Sequence, residues 1–171
     1  MAGSLVQVAT NTVTSAVSSV TLTTINTDDI YMVALNNVAP ETDNVYLKGR
    51  VTTGGTADSD SEYDRATRTF RANASFGSGA ANNESEWYIQ ENTNGTGTSE
   101  VCNGIIYLYN FNDSSEYSMI TVEMSSVDAS TNHNGSQGGR SHTVTEANDG
   151  VSFFFSSGNV AAGTFTLYKV I

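Results

Sequence analysis

Acidic side chains alternate along one short polar segment of the chain, where carboxylate oxygens could bind a cation. Asp58, Asp60, Glu62 and Asp64 lie within the segment TTGGTADSDSEYD, residues 52–64. Oxygen ligands at alternate positions are typical of calcium-binding loops, but this segment lacks their sixth-position glycine and terminal bidentate glutamate. We interpret it as a solvated acidic loop, and the sequence leaves calcium binding open as the alternative.

The side chains that could support catalysis form no recognisable constellation. His133 and His142 are the only two histidines, and both fall in or beside a polar segment, residues 128–142, that we predict to be a loop. A catalytic triad needs a histidine held by a carboxylate and facing a nucleophile, and no G-x-S-x-G motif is present. A zinc site needs three or four clustered ligands. We therefore predict no enzymatic activity, no metal site and no cofactor.

A pair of carboxylates and a tryptophan follow one another near the middle of the chain. Glu84 and Glu86 could serve acid–base hydrolysis, but no sequence feature places them across a cleft, and we assign them no role. Trp87 is flanked by acidic loops and is the best candidate for an exposed ring that stacks on a glycan. We interpret Tyr107 and Tyr109 instead as core or cross-strand residues.

Composition and charge restrict the partners of the chain. Its 171 residues suit one domain with a core of its own, and its one cysteine, Cys102, precedes an apolar run and is predicted to be a buried thiol. A net charge of -11 argues against binding to nucleic acid and to anionic membranes. No apolar run approaches membrane-spanning length, and no secretory signal is recognisable.

Short segments with strand patterns recur along the chain, and no long helix is indicated. We predict an all-β fold, an antiparallel β-sandwich of jelly-roll-like form, with an up-and-down barrel as the alternative. The segments 77–86 and 128–142 are predicted loops. Period-two alternation predicts these core residues: Ile105, Tyr107, Ile120, Val122, Phe153, Phe155, Phe165 and Leu167.

The chain begins with an uncharged segment that differs from the acidic remainder. We predict an extended arm over residues 1–19, followed by one sandwich domain over residues 20–171. Arms rich in threonine and valine can add a strand to the sheet edge of a partner. The alternative is that the arm pairs within its own sandwich as the first strand. The residues predicted to dock on a partner are Leu5, Val6, Val8, Val13 and Val17.

Two stretches carry a resemblance to a known family. In DDIYMVALNNVAPETDNVYLKGRVTTGG, residues 28–55, an apolar strand leads through Asn-x-x-Pro-x-Thr-Asp to a second strand and a glycine-rich loop. SSGNVAAGTFTLYKVI, residues 156–171, combines Ser-Gly-Asn, a glycine and a closing Leu-Tyr strand. The chain resembles a family of small β-rich proteins of tailed phages, marine ones especially, that is related to modules of phage tail fibres.

The resemblance implies a virion component without catalytic residues, assembled in the host cytoplasm. An acidic domain with an apolar arm and no fibre shaft fits a capsid decoration or cement protein that binds the major capsid protein. The alternative is a tail-fibre or receptor-binding accessory protein that recognises a glycan on the host surface. We expect a homo-oligomer, and specifically a trimer, since capsid lattices offer threefold sites.

Overall fold

A computed structural model describes residues 3–171, and within them every regular element is a β-strand. The predicted all-β sandwich is confirmed. The described part of the chain contains no helix that could cross a membrane. In chain order the strands are β1 (Leu5–Val13), β2 (Val20–Leu22), β3 (Tyr31–Pro40), β4 (Leu47–Thr53), β5 (Thr56–Ala57), β6 (Tyr63–Arg71), β7 (Gly77–Glu84), β8 (Trp87–Tyr88), β9 (Cys102–Tyr109), β10 (Tyr117–Val127), β11 (His133–Thr145), β12 (Gly150–Phe155) and β13 (Val160–Val170).

The strands form two antiparallel sheets of different size. The large sheet has eight strands in the order β1-β13-β3-β9-β10-β11-β6-β7. The small sheet has five strands, with the order β2-β12-β4-β5 and with β8 paired to β4. The loop from β5 to β6, residues 58–62, therefore passes from the small sheet to the large one.

The core lies between the two sheets and receives side chains from both. The ring of Phe153 on the small sheet packs against that of Phe165 on the large sheet, with centroids 5.5 Å apart. Strand β10 alternates regularly, so that its even-numbered residues face inward. Six of the predicted core residues are buried, namely Ile120, Val122, Phe153, Phe155, Phe165 and Leu167.

Strand β9 has the opposite orientation to the one we predicted. Ile105 and Tyr107 are 41% and 39% exposed, while Ile106 and Leu108 are buried in their place. The prediction was wrong because β9 is apolar on both faces, and its own alternation does not decide which face is inside. The pairing with β10 decides it, since the inward Val122 lies opposite Ile106.

The polar segment that we predicted to be a loop is mostly the long strand β11. Its inward side chains are polar and buried: Asn134, Ser136, Arg140 and His142. Arg140 Nε donates a hydrogen bond to the carbonyl oxygen of Tyr88 in β8 at 2.6 Å, so the small sheet provides a partner for this buried side chain. Hydrophobic periodicity does not reveal a strand with a polar inner face. The predicted loop 77–86 likewise contains a strand, β7, built from small and polar residues.

Candidate functional site

The outer face of the large sheet is apolar at its centre, which is uncommon for a solvent-facing surface. Ile105 and Tyr107 of β9 point outward, and Met119 of the neighbouring β10 is 43% exposed. The rings of Tyr107 and Tyr109 stack at a centroid separation of 6.5 Å. An exposed apolar patch with polar surroundings is typical of a binding surface.

Strand register turns this face into a groove with a floor of small residues. Tyr107 lies opposite Thr121, Thr121 lies opposite Gly139, and Gly139 lies opposite Ala66. Side chains therefore become shorter from β9 to β11 and are still small at β6. Two adjoining depressions of about 530 and 550 Å³ result, and both are lined by Tyr109, Thr121 and Gly139.

Polar groups border the groove on both sides. Glu123 and Gln137 line one depression, and Asp64 lines the other. One Asp64 carboxylate oxygen accepts a hydrogen bond from the backbone of Asn83 at 2.9 Å, which fixes the side chain. Carboxylate and amide groups beside apolar rings allow the groove to bind a ligand that has both apolar faces and hydroxyl groups.

Trp87 is not at this surface, and the prediction of an exposed glycan-stacking ring there was wrong. The side chain is 0% exposed. The indole Nε1 donates to the carbonyl oxygen of Ser141 at 2.9 Å, and the ring meets Tyr63 edge to face with centroids 5.1 Å apart. Pairing of β8 with β4 places the tryptophan opposite Gly49.

The acidic residues that flank Trp87 are held by cations. Glu86 bonds Lys48 Nζ at 2.6 Å and Arg50 Nη2 at 2.8 Å. Burial by itself would raise the pKa of Glu86, but hydrogen bonds from Lys48, Ser85 and Arg50 outweigh it and hold the pKa at about 2. Glu84 pairs with the Nε of Arg65 at 3.2 Å. The contacts of Glu86 attach the residues before β8 to β4, that of Glu84 joins β7 to β6, and nothing places the two carboxylates across a cleft.

The predicted solvated acidic loop is in fact joined to the sandwich by a buried histidine. His142 of β11 is completely buried, and its Nε2 lies 2.9 Å from Asp58 Oδ2 and 3.4 Å from Glu62 Oε2. Partial burial and then the nearby Asp58 carboxylate raise the pKa of Glu62. The ligand atoms of these three residues lie within 4.8 Å of one another, and this is the one group in the described part of the chain that could hold a metal ion.

The residues predicted to dock on a partner have different surroundings. Strand β1 pairs with β13 within the chain and occupies one edge of the large sheet. Val13 is buried against the core, so the prediction that its side chain docks on a partner was wrong. Val8 is partly buried. The exposed members of the set are Leu5 at 50%, Val6 at 46% and Val17 at 39%.

Cys102 is a buried thiol, as predicted. Its side chain is 0% exposed, and burial raises its pKa to about 12. A thiol with that pKa is not ionised near neutral pH and is a poor nucleophile.

The fold and the groove define an antiparallel β-sandwich protein with an open, aromatic-lined outer face. A signal for that face was present in the sequence, because Thr121 and Glu123 of β10 are polar and mark the side that faces solvent. Comparison of the chain with protein-family models, curated proteins and solved structures finds no match in any of the three.

Proposed function

We propose that this protein is a non-catalytic component of a tailed-phage particle that binds a neutral glycan of the host surface through the outer face of its large sheet. The observation that carries the proposal is the groove formed by Tyr107, Tyr109, Thr121 and Gly139. It combines exposed rings, a shallow floor and a polar border.

The chemistry of the groove favours a sugar over other ligands. The apolar faces of pyranose rings pack on aromatic side chains, and sugar hydroxyls donate hydrogen bonds to the groups that Glu123, Gln137 and Asp64 provide. A chain of net charge -11 repels phosphate-rich and other polyanionic ligands. A neutral oligosaccharide avoids that repulsion.

The phage assignment is supported by the resemblance of residues 28–55 and 156–171 to small β-rich phage proteins. Both stretches form strands of the sandwich and the turns beside them. The first covers strands β3 and β4, and the second ends with β13. In the second, Gly158 has a φ of 70°, a left-handed conformation that favours glycine.

An array of neutral and acidic bacterial oligosaccharides, probed with labelled protein, tests the proposal. We expect binding to neutral glycans that falls at least tenfold in Tyr107→Ala, a loss of about 1.4 kcal/mol. Tyr117→Ala is the matched control, since Tyr117 is 45% exposed on the same sheet but lines neither depression. Gly139→Val should also abolish binding, because nothing lies within 4 Å of a Cβ at that position and the added side chain would fill the groove.

Two results would overturn the proposal. One is the absence of binding to any oligosaccharide on the array. The other is binding that both groove variants retain at the affinity of the natural chain.

A second candidate function, capsid decoration, is favoured by the edge strand β1. Its outer side has no neighbouring strand in the large sheet, and an open edge can pair with a strand of another chain. Leu5, Val6, Ile30 and Ile171 are each 45% exposed or more. The Ser4 amide donates to the carbonyl oxygen of Ile171 at 2.6 Å, so these apolar residues gather at one corner, where the major capsid protein or a second copy could dock.

Undecorated capsids and sedimentation velocity test this second candidate. If β1 docks on capsids, Val6→Lys should abolish binding of the protein to the particles, because a charged side chain on an edge strand opposes pairing. Thr14→Lys adds the same charge just beyond β1 and should bind normally. If copies associate through the same edge, the natural chain should sediment as a trimer and Val6→Lys as a monomer. Equal binding by both variants would exclude the edge as the docking element.

A further inference from the structure

Three potential ligand groups converge where the loop between β5 and β6 meets strand β11. Asp58 and Glu62 come from the loop, and His142 comes from the strand. Nε2 of His142 lies 2.9 Å from an Asp58 carboxylate oxygen and 3.4 Å from a Glu62 carboxylate oxygen. Neighbouring ligands that each lie about 2.0–2.2 Å from one metal ion are about 3.0–3.6 Å apart. These separations are close to those of a coordination sphere.

Hydrogen bonding alone does not satisfy this arrangement. Nε2 carries at most one proton, which can serve Asp58 or Glu62 but not both well. The other ring nitrogen, Nδ1, is buried and has no hydrogen-bond partner among the described residues. A cation in front of Nε2 would contact the imidazole and both carboxylates together, and the ring proton would then lie on Nδ1.

The charge around the three groups favours a cation. Asp58 and Glu62 line a depression of about 450 Å³ together with Asp60 and Glu146, and the buried His142 contacts the first two carboxylates. Within residues 3–171, no lysine or arginine forms a salt bridge with any of these four carboxylates. Glu86, by contrast, has two cationic partners. The depression therefore concentrates negative charge beside a completely buried imidazole.

We propose that Asp58, Glu62 and His142 bind a divalent transition-metal cation, with Zn²⁺ or Mn²⁺ as the best match. Imidazole nitrogen suits Zn²⁺ and carboxylate oxygen suits Mn²⁺, whereas Ca²⁺ takes six to eight oxygen ligands. The ion would have three protein ligands, and Asp60 and Glu146 would add negative charge at the rim. This site is separate from the groove, and its test is independent of glycan binding.

The cation would fix the loop that connects the two sheets to strand β11 of the large sheet. The loop that supplies Asp58 and Glu62 follows β5 of the small sheet, and His142 belongs to the large sheet. A cation that binds the folded chain and not the unfolded one stabilises the fold, and above the dissociation constant this stabilisation grows with the logarithm of the cation concentration. A protein exposed outside the cell gains stability from such a connection without a disulfide.

Thermal unfolding of protein dialysed against EDTA, then supplied separately with Zn²⁺, Mn²⁺ or Ca²⁺, tests the proposal. At about 100 times the dissociation constant, we expect the transition metals to raise the melting temperature of the natural chain by about 5–10 °C. Glu62→Gln and Asp58→Asn should each reduce the affinity at least tenfold. Asp60→Asn, a change of the same charge in the same loop, should keep most of the rise. All three replaced side chains belong to the loop, so these variants avoid the buried position of His142.

Cobalt provides a direct measure of coordination. Co²⁺ should give the natural chain a visible absorption band that Glu62→Gln weakens and Asp60→Asn retains. The proposal is overturned if no cation raises the melting temperature, or if Glu62→Gln and Asp60→Asn respond equally. A rise with Ca²⁺ alone would also overturn it, because the ion would then be held by oxygen ligands without the imidazole.

Discussion

Replacement of Trp87 by alanine should destabilise the sandwich more than any surface substitution. The indole ring is 0% exposed, and burial of an aromatic side chain removes roughly 150–250 Å² from water, which is worth about 4–6 kcal/mol. Truncation of buried tryptophan or phenylalanine to alanine costs about 3–5 kcal/mol. Loss of the hydrogen bond to Ser141 adds about 1 kcal/mol. We therefore expect Trp87→Ala to lower the free energy of unfolding by about 4–6 kcal/mol.

Urea unfolding followed by circular dichroism measures this loss. With a slope of about 2–3 kcal/mol per molar urea, the midpoint should fall by about 2 M. Trp87→Phe retains a ring and loses the indole donor, so it should cost about 1–3 kcal/mol. Tyr107→Ala is the control on the outer face and should cost about 1 kcal/mol. If the free energy of unfolding of Trp87→Ala is within about 0.5 kcal/mol of that of the natural chain, as is usual for substitutions at exposed positions, the argument from burial is refuted.

Three further predictions follow from local contacts. Glu86→Gln should lower the free energy of unfolding by about 2–3 kcal/mol at neutral pH. Because the pKa of Glu86 is about 2 in the fold against an ordinary value of 4.5, the ionised carboxylate stabilises the fold above pH 4.5, and the difference between the two proteins should disappear as the pH falls through about 2. Urea unfolding at several pH values checks this, and a constant difference would contradict it. Gly150→Ala should cost at least about 2 kcal/mol, because a Cβ there would collide with the backbone oxygen of Leu22. At Gly139 an added Cβ meets open space, so Gly139→Ala should change the free energy of unfolding by no more than about 0.5 kcal/mol. Thermal unfolding compares the two variants, and equal losses of stability would show that close packing at Gly150 is not the cause. Cys102 should resist a thiol reagent in the native protein and react in urea, since burial raises its pKa to about 12, and fast native labelling would contradict this.

The strand content of the fold was predictable because most strands alternate clearly. In β10, Ile120 and Val122 alternate with polar Thr121, so both the strand and its inner face follow from the sequence. In β9, Ile105 and Ile106 are equally apolar, and only the register with β10 decides between them. The sequence of β9 taken by itself therefore predicts a strand but does not show which of its faces is buried.

Polar interiors limited the rest of the prediction. Arg140 and His142 resemble loop residues in the sequence, yet they are buried and bonded to groups that are distant in the chain, such as the Tyr88 carbonyl and the Asp58 carboxylate. Trp87 stands beside acidic residues, and their neutralisation by Lys48 and other cations is a tertiary effect. Because the partners of these side chains are distant along the chain, the local sequence does not reveal the contacts.

The candidate site was predictable in its residue types but not in its position. The sequence identified aromatic side chains as possible sugar platforms, and it favoured Trp87 over Tyr107. The structure reverses that choice, because Trp87 is buried and Tyr107 is exposed. The groove depends on the small floor at Gly139, which belongs to a segment that the sequence predicts to be a loop.

The most direct test of the glycan-binding face is a nitrogen-15 NMR titration with the neutral oligosaccharide that gives the strongest signal on the array. The groove predicts that the largest chemical-shift changes occur at Tyr107, Thr121 and Gly139, and that the signals of Tyr107 and Thr121 stay unchanged when Gly139→Val is titrated. Changes confined to the small sheet or to the edge strand β1, with the three groove residues unaffected, would contradict the account.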